Sequence, residues 1–175
     1  MKYHIEKFID ENTINNAIVK IAKTISNEFE DKPILLVGLL KGSTIFLADL
    51  ARKLKNDCEI DFMSVSSYGD KTETSGEIKI LKDLDVDIKD KNVIIVEDII
   101  DTGLTLFKIY QILKSRMPNK LKIATLLDKT SRRKCDIQVD YVGIEIPDIF
   151  VVGYGLDYAQ KHRTLPYLGK VVEDK

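Results

Sequence analysis

Val93-Ile94-Ile95-Val96-Glu97-Asp98-Ile99-Ile100-Asp101-Thr102-Gly103-Leu104-Thr105 joins two patterns in one short segment. The β-branched run at its start predicts a strand buried on both faces, here over 93–97. From Leu104 to Met117 the apolar residues take helical spacing. Between strand and helix stand two adjacent acids, a third acid at Asp101, and the turn Thr102-Gly103-Leu104-Thr105. A strand, a small-residue turn and a helix in that order form the repeating unit of a parallel α/β sheet. Carboxylates at the strand end accept from sugar hydroxyls. Backbone N–H groups and Thr hydroxyls at a helix N-terminus hold a phosphate. The segment therefore points to a ligand carrying both.

On either side the same alternation continues. Ile14, Ile18, Ile21, Ala22, Ile25 and Phe29 recur at helical spacing and predict an amphipathic helix over 14–29. Ile34 to Leu40 is too apolar for a half-exposed strand and reads as a central one. Ser43 or Thr44 is expected to cap a helix reaching about Lys55. Strands are predicted from Cys58 to Val65, at Ile78–Leu81, from Lys122 to Leu127, at Tyr141–Ile144 and at Ile149–Tyr154, with a short terminal run from Leu165 to Val172. Ser66 to Gly76 is polar and reads as a mobile loop. No repeat, low-complexity tract or domain boundary interrupts the chain, so one domain over 1–175 is expected. The fold class is α/β, with a twisted, mainly parallel sheet flanked by helices. Ligands of such sheets bind outside the carboxyl ends of the strands, which is where the polar loops fall.

A net charge of -1 argues against general affinity for nucleic acid or an anionic membrane. The longest apolar stretch, near Pro33 to Leu40, is too short to span a bilayer, and the first residues lack the apolar core of a signal peptide. A cytoplasmic protein is expected. Cys58 and Cys135 form no metal or disulfide pattern and are expected to be reduced thiols.

The segment 97–105 resembles the phosphoribosyl-pyrophosphate loop of the type I phosphoribosyltransferases. Its Glu97-Asp98 pair and Asp101-Thr102-Gly103 ending are most similar to the hypoxanthine-guanine branch. Enzymes acting on adenine usually carry Ala at the position of Asp101, and those acting on orotate Thr or Ala. The resemblance extends along the chain. Leu39-Leu40-Lys41-Gly42 is similar to the family's pyrophosphate loop, in which a non-proline cis peptide precedes the Lys. Ser67-Tyr68 matches the pair on a lid loop. Lys129 matches the Lys that meets the purine 6-oxo group. Phe150 matches the aromatic that stacks on the base, and Val151 the neighbour that reads its edge. Asp157 matches a carboxylate on Mg²⁺ beside the purine, and Arg163 a guanidinium on pyrophosphate.

What the resemblance implies is a phosphoribosyltransferase fold with a small hood from the chain ends, acting on phosphoribosyl pyrophosphate and a 6-oxopurine with Mg²⁺. Glu97 and Asp98 would hold ribose hydroxyls and, with Asp157, the metal. Asp101, Thr102, Gly103, Leu104 and Thr105 would bind ribose phosphate. Leu40, Lys41, Gly42 and Arg163 would hold pyrophosphate, and Asp101 would take the proton the purine loses. Relatives form homodimers or homotetramers, so a homo-oligomer is expected. A xanthine- or guanine-preferring enzyme is the nearest alternative. A non-catalytic regulator that senses the donor and binds RNA or DNA is the alternative from another class.

Plainer readings compete residue by residue. Asp101-Thr102 alone would read as an N-cap, Phe150 as core, Tyr154 and Tyr158 as packing, and Arg132, Arg133 and Lys134 as a solvated turn. Leu104 stands where the family often has Lys or Asn, and it offers the phosphate only a backbone N–H.

Overall fold

The computed structural model describes residues 3–67 and 78–174. Its centre is a six-stranded sheet built from β2 (Ile34–Leu39), β3 (Cys58–Ser67), β4 (Ile78–Lys82), β5 (Asn92–Ile100), β6 (Lys120–Asp128) and β7 (Tyr141–Glu145). Their order is β4-β3-β2-β5-β6-β7. Only the β3–β4 pair is antiparallel; the other neighbours run parallel. All six residues of β2 are buried, as expected of a central strand.

Helices cover both faces because β5 is apolar on both. Ile94 and Val96 join the core under helix α1 (Glu11–Phe29) and helix α2 (Thr44–Ala51). Val93 and Ile95 join the opposite core with Leu106, Ile109 and Leu113 of helix α3 (Leu104–Ser115). Burying one such aliphatic side chain contributes roughly 1.5–3 kcal/mol. The unbroken run 93–96 therefore locks β5 between both layers and fixes where its carboxyl end lies.

A separate three-stranded antiparallel sheet, β1 (Tyr3–Ile9), β9 (Leu168–Glu173) and β8 (Val151–Val152), makes the hood from the two chain ends. Tyr3 lies opposite Glu173, and Val151 opposite Lys170. Strand β1 has no counterpart among the sequence expectations. Asp10, at its end, caps α1 by accepting from the Thr13 N–H at 2.7 Å, so the helix starts three residues before Ile14.

Two boundaries differ from expectation for stated reasons. Ser43 stands at the N-cap position of α2, but its side chain makes no capping hydrogen bond. The Ser43 hydroxyl donates back to the Leu39 carbonyl and the Thr44 hydroxyl to the Lys41 carbonyl, each at 2.7 Å. The helix ends at Ala51, not near Lys55, since the Lys55 N–H turns to the Ser26 hydroxyl and Asn56 ties to the Glu30 and Lys32 carbonyls. Ser66 and Ser67 continue β3; the rest of the expected mobile loop, with Tyr68, lies outside the described residues.

Candidate active site

The loop after β5 sets the site. Gly103 stands immediately before α3 with φ of 79°, a left-handed conformation that costs glycine nothing and a side chain a good deal. Among the described residues no side chain caps this helix, which leaves its first N–H groups in the arrangement that suits an anion. Asp101 is not the N-cap that an isolated Asp-Thr suggests. It turns away to meet Arg132 Nε at 2.9 Å and Lys129 Nζ at 3.9 Å. The Lys134 N–H donates to the Thr102 carbonyl at 2.9 Å and straps the loop from behind. A cavity of about 260 Å³ opens here, lined by Glu97, Ile100, Asp101, Thr102, Gly103 and Thr105. Another of about 300 Å³ lies between α3 and β6, around Phe107 and Lys122, and includes none of the candidate residues.

At the mouth of β5 stands the acid pair. Among the described residues the buried Glu97 Oε2 finds no hydrogen-bond partner. Burial and the adjacent Asp98 charge push the Glu97 carboxyl well above the usual range. Asp98 is 8% exposed. Burial pushes its carboxyl up to about 6, although the Ile99 N–H, 2.9 Å from Oδ1, and the Arg163 guanidinium favour its charge. Two crowded acids with an orphaned oxygen suit a divalent cation and hydroxyl donors. Among the described residues no three His, Cys, Asp or Glu side chains form a metal cage. That is compatible with Mg²⁺, which takes one or two carboxylates and fills its octahedron with water and phosphate oxygens.

The pyrophosphate-type loop lies directly against this pair. The Leu40–Lys41 peptide is cis. Gly42 has no side chain because Asp98 occupies its place: a Cβ there would stand 1.7 Å from Asp98 Oδ2. Gly155, at φ +102°, packs in turn on Gly42, and a Cβ on it would stand 2.0 Å from the Gly42 carbonyl oxygen. The Gly155 carbonyl accepts from Arg163 Nη1 at 2.8 Å, and Arg163 Nη2 pairs with Asp157 Oδ1 at 2.7 Å. Asp157 also accepts from the Gln160 N–H. Segments 40–42, 97–98 and 155–163 thus form one continuous wall. Lys41 is exposed beside it.

The remaining candidates gather at the ends of β6 and β8. Lys129 is 7% exposed, its ammonium 3.9 Å from Asp101 Oδ2 and 3.6 Å from Asp148 Oδ1. Phe150 is not core: its ring is 56% exposed and rests edge-on against Tyr158, with centroids 5.7 Å apart. Val151 is buried in β8. Tyr154 is the packing residue expected, buried with its hydroxyl on Asp49. Asp148 and Arg132 belong to this cluster and were not among the sequence candidates. Ser67 ends β3.

Residues 6–159 match the family described as the phosphoribosyl transferase domain. The chain is 52% identical over 174 residues to the hypoxanthine phosphoribosyltransferase of Salmonella typhimurium, covering 98% of each. It is 48% identical over 170 residues to the hypoxanthine-guanine phosphoribosyltransferase of Bacillus subtilis, covering 97% of this chain and 94% of that one. A crystal structure of a hypoxanthine-guanine phosphoribosyltransferase from Bacillus anthracis superposes with a TM-score of 0.93 at 47% identity, over 98% of this chain and 100% of the other.

Proposed function

The chain belongs to the phosphoribosyl transferase domain family, and we propose that it is a purine-salvage enzyme. It transfers the 5-phosphoribosyl group from phosphoribosyl pyrophosphate to hypoxanthine, and to guanine, giving the nucleoside 5′-monophosphate and pyrophosphate. One observation carries this reading. A phosphate-type loop headed by a buried acid pair, in which Glu97 keeps an unpartnered oxygen, shares its rim, through Asp101, with a nearly buried ammonium at Lys129. The first feature suits a ribose phosphate. The second suits a base with a carbonyl.

In this reading the α3 N-terminus and Thr102, Gly103, Leu104 and Thr105 hold the 5-phosphate. Glu97 and Asp98 accept from the ribose hydroxyls. Leu40, Lys41, Gly42 and Arg163 bind pyrophosphate, whose charge grows as its bond to the anomeric carbon breaks. Glu97, Asp98 and Asp157 would hold Mg²⁺, Asp157 directly and the acid pair through water. When bound, the ion neutralises the leaving pyrophosphate. The purine ring nitrogen forms the new bond to the anomeric carbon, and Asp101 takes the ring proton. Arg132 Nε donates to Asp101 Oδ1 and holds that carboxylate at the base side of the cleft.

Selectivity rests on Lys129. An ammonium donates to a 6-oxo group and meets a 6-amino group donor against donor, a mismatch worth several orders of magnitude in a closed site. Phe150 stacks on the base and the Val151 backbone reads its edge. Ser67-Tyr68 would close over the cleft and keep water from taking the phosphoribosyl group. The domain spans 1–175, acts in the cytoplasm and assembles as a homodimer or homotetramer. No helix of the described residues is long and apolar enough to cross a membrane.

Mixing the protein with phosphoribosyl pyrophosphate, Mg²⁺ and hypoxanthine should release pyrophosphate and form the nucleotide. Saturable nucleic-acid binding at physiological salt without that release would replace the enzyme with a regulator.

A further inference from the structure

Resting on the function just proposed, we infer that Asp148, with Arg132, positions Lys129 and so sets affinity for the purine. Four charges from three loops close a ring at the base side of the cleft. Asp101 follows β5, Lys129 and Arg132 follow β6, and Asp148 follows β7. Lys129 Nζ lies 3.6 Å from Asp148 Oδ1 and 3.9 Å from Asp101 Oδ2. Arg132 closes the other side, with Nε 2.9 Å from Asp101 Oδ1 and Nη1 3.5 Å from Asp148 Oδ2. Each acid faces both cations and each cation both acids.

The distances divide the work. Arg132 makes the one short contact, to Asp101, while both carboxylates stand farther from the Lys129 ammonium than a hydrogen bond spans. A nearly buried ammonium is thus balanced by two opposite charges, yet its N–H groups are not consumed by them. That is the state a donor to a ligand carbonyl requires. Removing one acid lets the ammonium collapse onto the other, away from its central position.

A stabilising role explains the ring poorly. Asp148 and Arg132 are about half exposed, and exposed ion pairs contribute little to stability. Their value rises when a base enters and expels water from between them. Asp148 also shares its turn with the stacking ring. The Ile149 N–H bonds back to the Pro147 carbonyl at 2.8 Å, so the same bend places a carboxylate at 148 and an aromatic at 150.

The test is steady-state kinetics of Asp148→Asn, varying hypoxanthine and donor separately. We expect KM for hypoxanthine to rise about tenfold, the scale of one charge-assisted contact, with kcat and KM for the donor within about twofold of wild type. Asp148→Glu should recover part of the loss, and Arg132→Gln should shift KM the same way. In a Lys129→Ala background Asp148→Asn should add nothing further. Equal rises in both KM values, or an undiminished effect without Lys129, would overturn the inference while leaving the enzyme reading intact. A wild-type protein with no turnover on any purine would overturn both.

Discussion

Asp98→Asn should make the unliganded protein more stable and the enzyme worse. Asp98 is held in a site that pushes its carboxyl from an ordinary 3.8 up to about 6, chiefly by burial. A folded value above the unfolded one means that the native state binds the proton more tightly. Below pH ~3.8 both states are protonated and the group costs nothing. As pH rises to about 6 the native state loses stability, and above that the loss is complete. A shift of about 2 units at about 1.4 kcal/mol each is about 3 kcal/mol. Asn keeps the size and the oxygen that accepts from the Ile99 N–H, and it removes the charge.

At pH 7.5, without donor or Mg²⁺, Asp98→Asn should therefore gain about 3 kcal/mol, a Tm rise of roughly 6–12 °C for a chain of this size. Urea titrations at pH 7.5 and pH 4.5 measure it, and the gap should narrow at the lower pH. Donor plus Mg²⁺ should stabilise wild type by about 2.7 kcal/mol at a hundred times Kd and the variant far less. Turnover should fall because the ribose hydroxyls and the cation lose an acceptor. A variant no more stable than wild type at pH 7.5, or a gap independent of pH, would refute the claim that Asp98 is held charged against the fold's preference.

Asp101→Asn should lower kcat by roughly 10²–10⁴-fold, the scale of a general acid–base group; near-normal turnover in single-turnover kinetics would remove it from that role. Lys129→Ala should lose kcat/KM for hypoxanthine with little change in donor affinity, measured by titrating the two substrates separately, and an unchanged ratio would mean another group reads the 6-position. Gly155→Ala places a Cβ against the Gly42 carbonyl in a left-handed residue. It should therefore raise KM for the donor more than for the base, and equal rises in initial-rate kinetics would break the proposed link between that turn and the pyrophosphate loop.

The sheet was legible because its strands are short apolar runs that local pattern alone identifies, β5 most clearly. The hood was not legible in the same way. Tyr3–Ile9 has no clean alternation of burial, and its strand character comes from pairing with β9 at the far end of the chain. The acid pair and the phosphate loop were readable since strand end, turn and helix start are contiguous. Asp148 and Arg132 carry no local signal. Each is an ordinary loop charge until the ends of β5, β6 and β7 bring Asp101, Lys129 and the pair together. Gly42 was marked by resemblance; its physical reason, the Asp98 carboxylate lying where a Cβ would be, needed the fold. Ser43 takes the N-cap position that was read for it or Thr44, but without a capping bond, because both hydroxyls donate to backbone carbonyls in the turn they leave.

The central claim is that this cleft joins a phosphoribosyl donor to a purine chosen by its 6-oxo group. Pyrophosphate release measured with hypoxanthine, guanine, xanthine and adenine, at saturating donor and Mg²⁺, tests it most directly. Hypoxanthine should turn over, guanine should follow or match it, and adenine should fall behind by a factor of about 10⁴ or more in kcat/KM, as expected where a buried donor is left facing a donor. Comparable rates with adenine would contradict it; a xanthine rate above all others would keep the 6-oxo rule and replace only the preference for hypoxanthine.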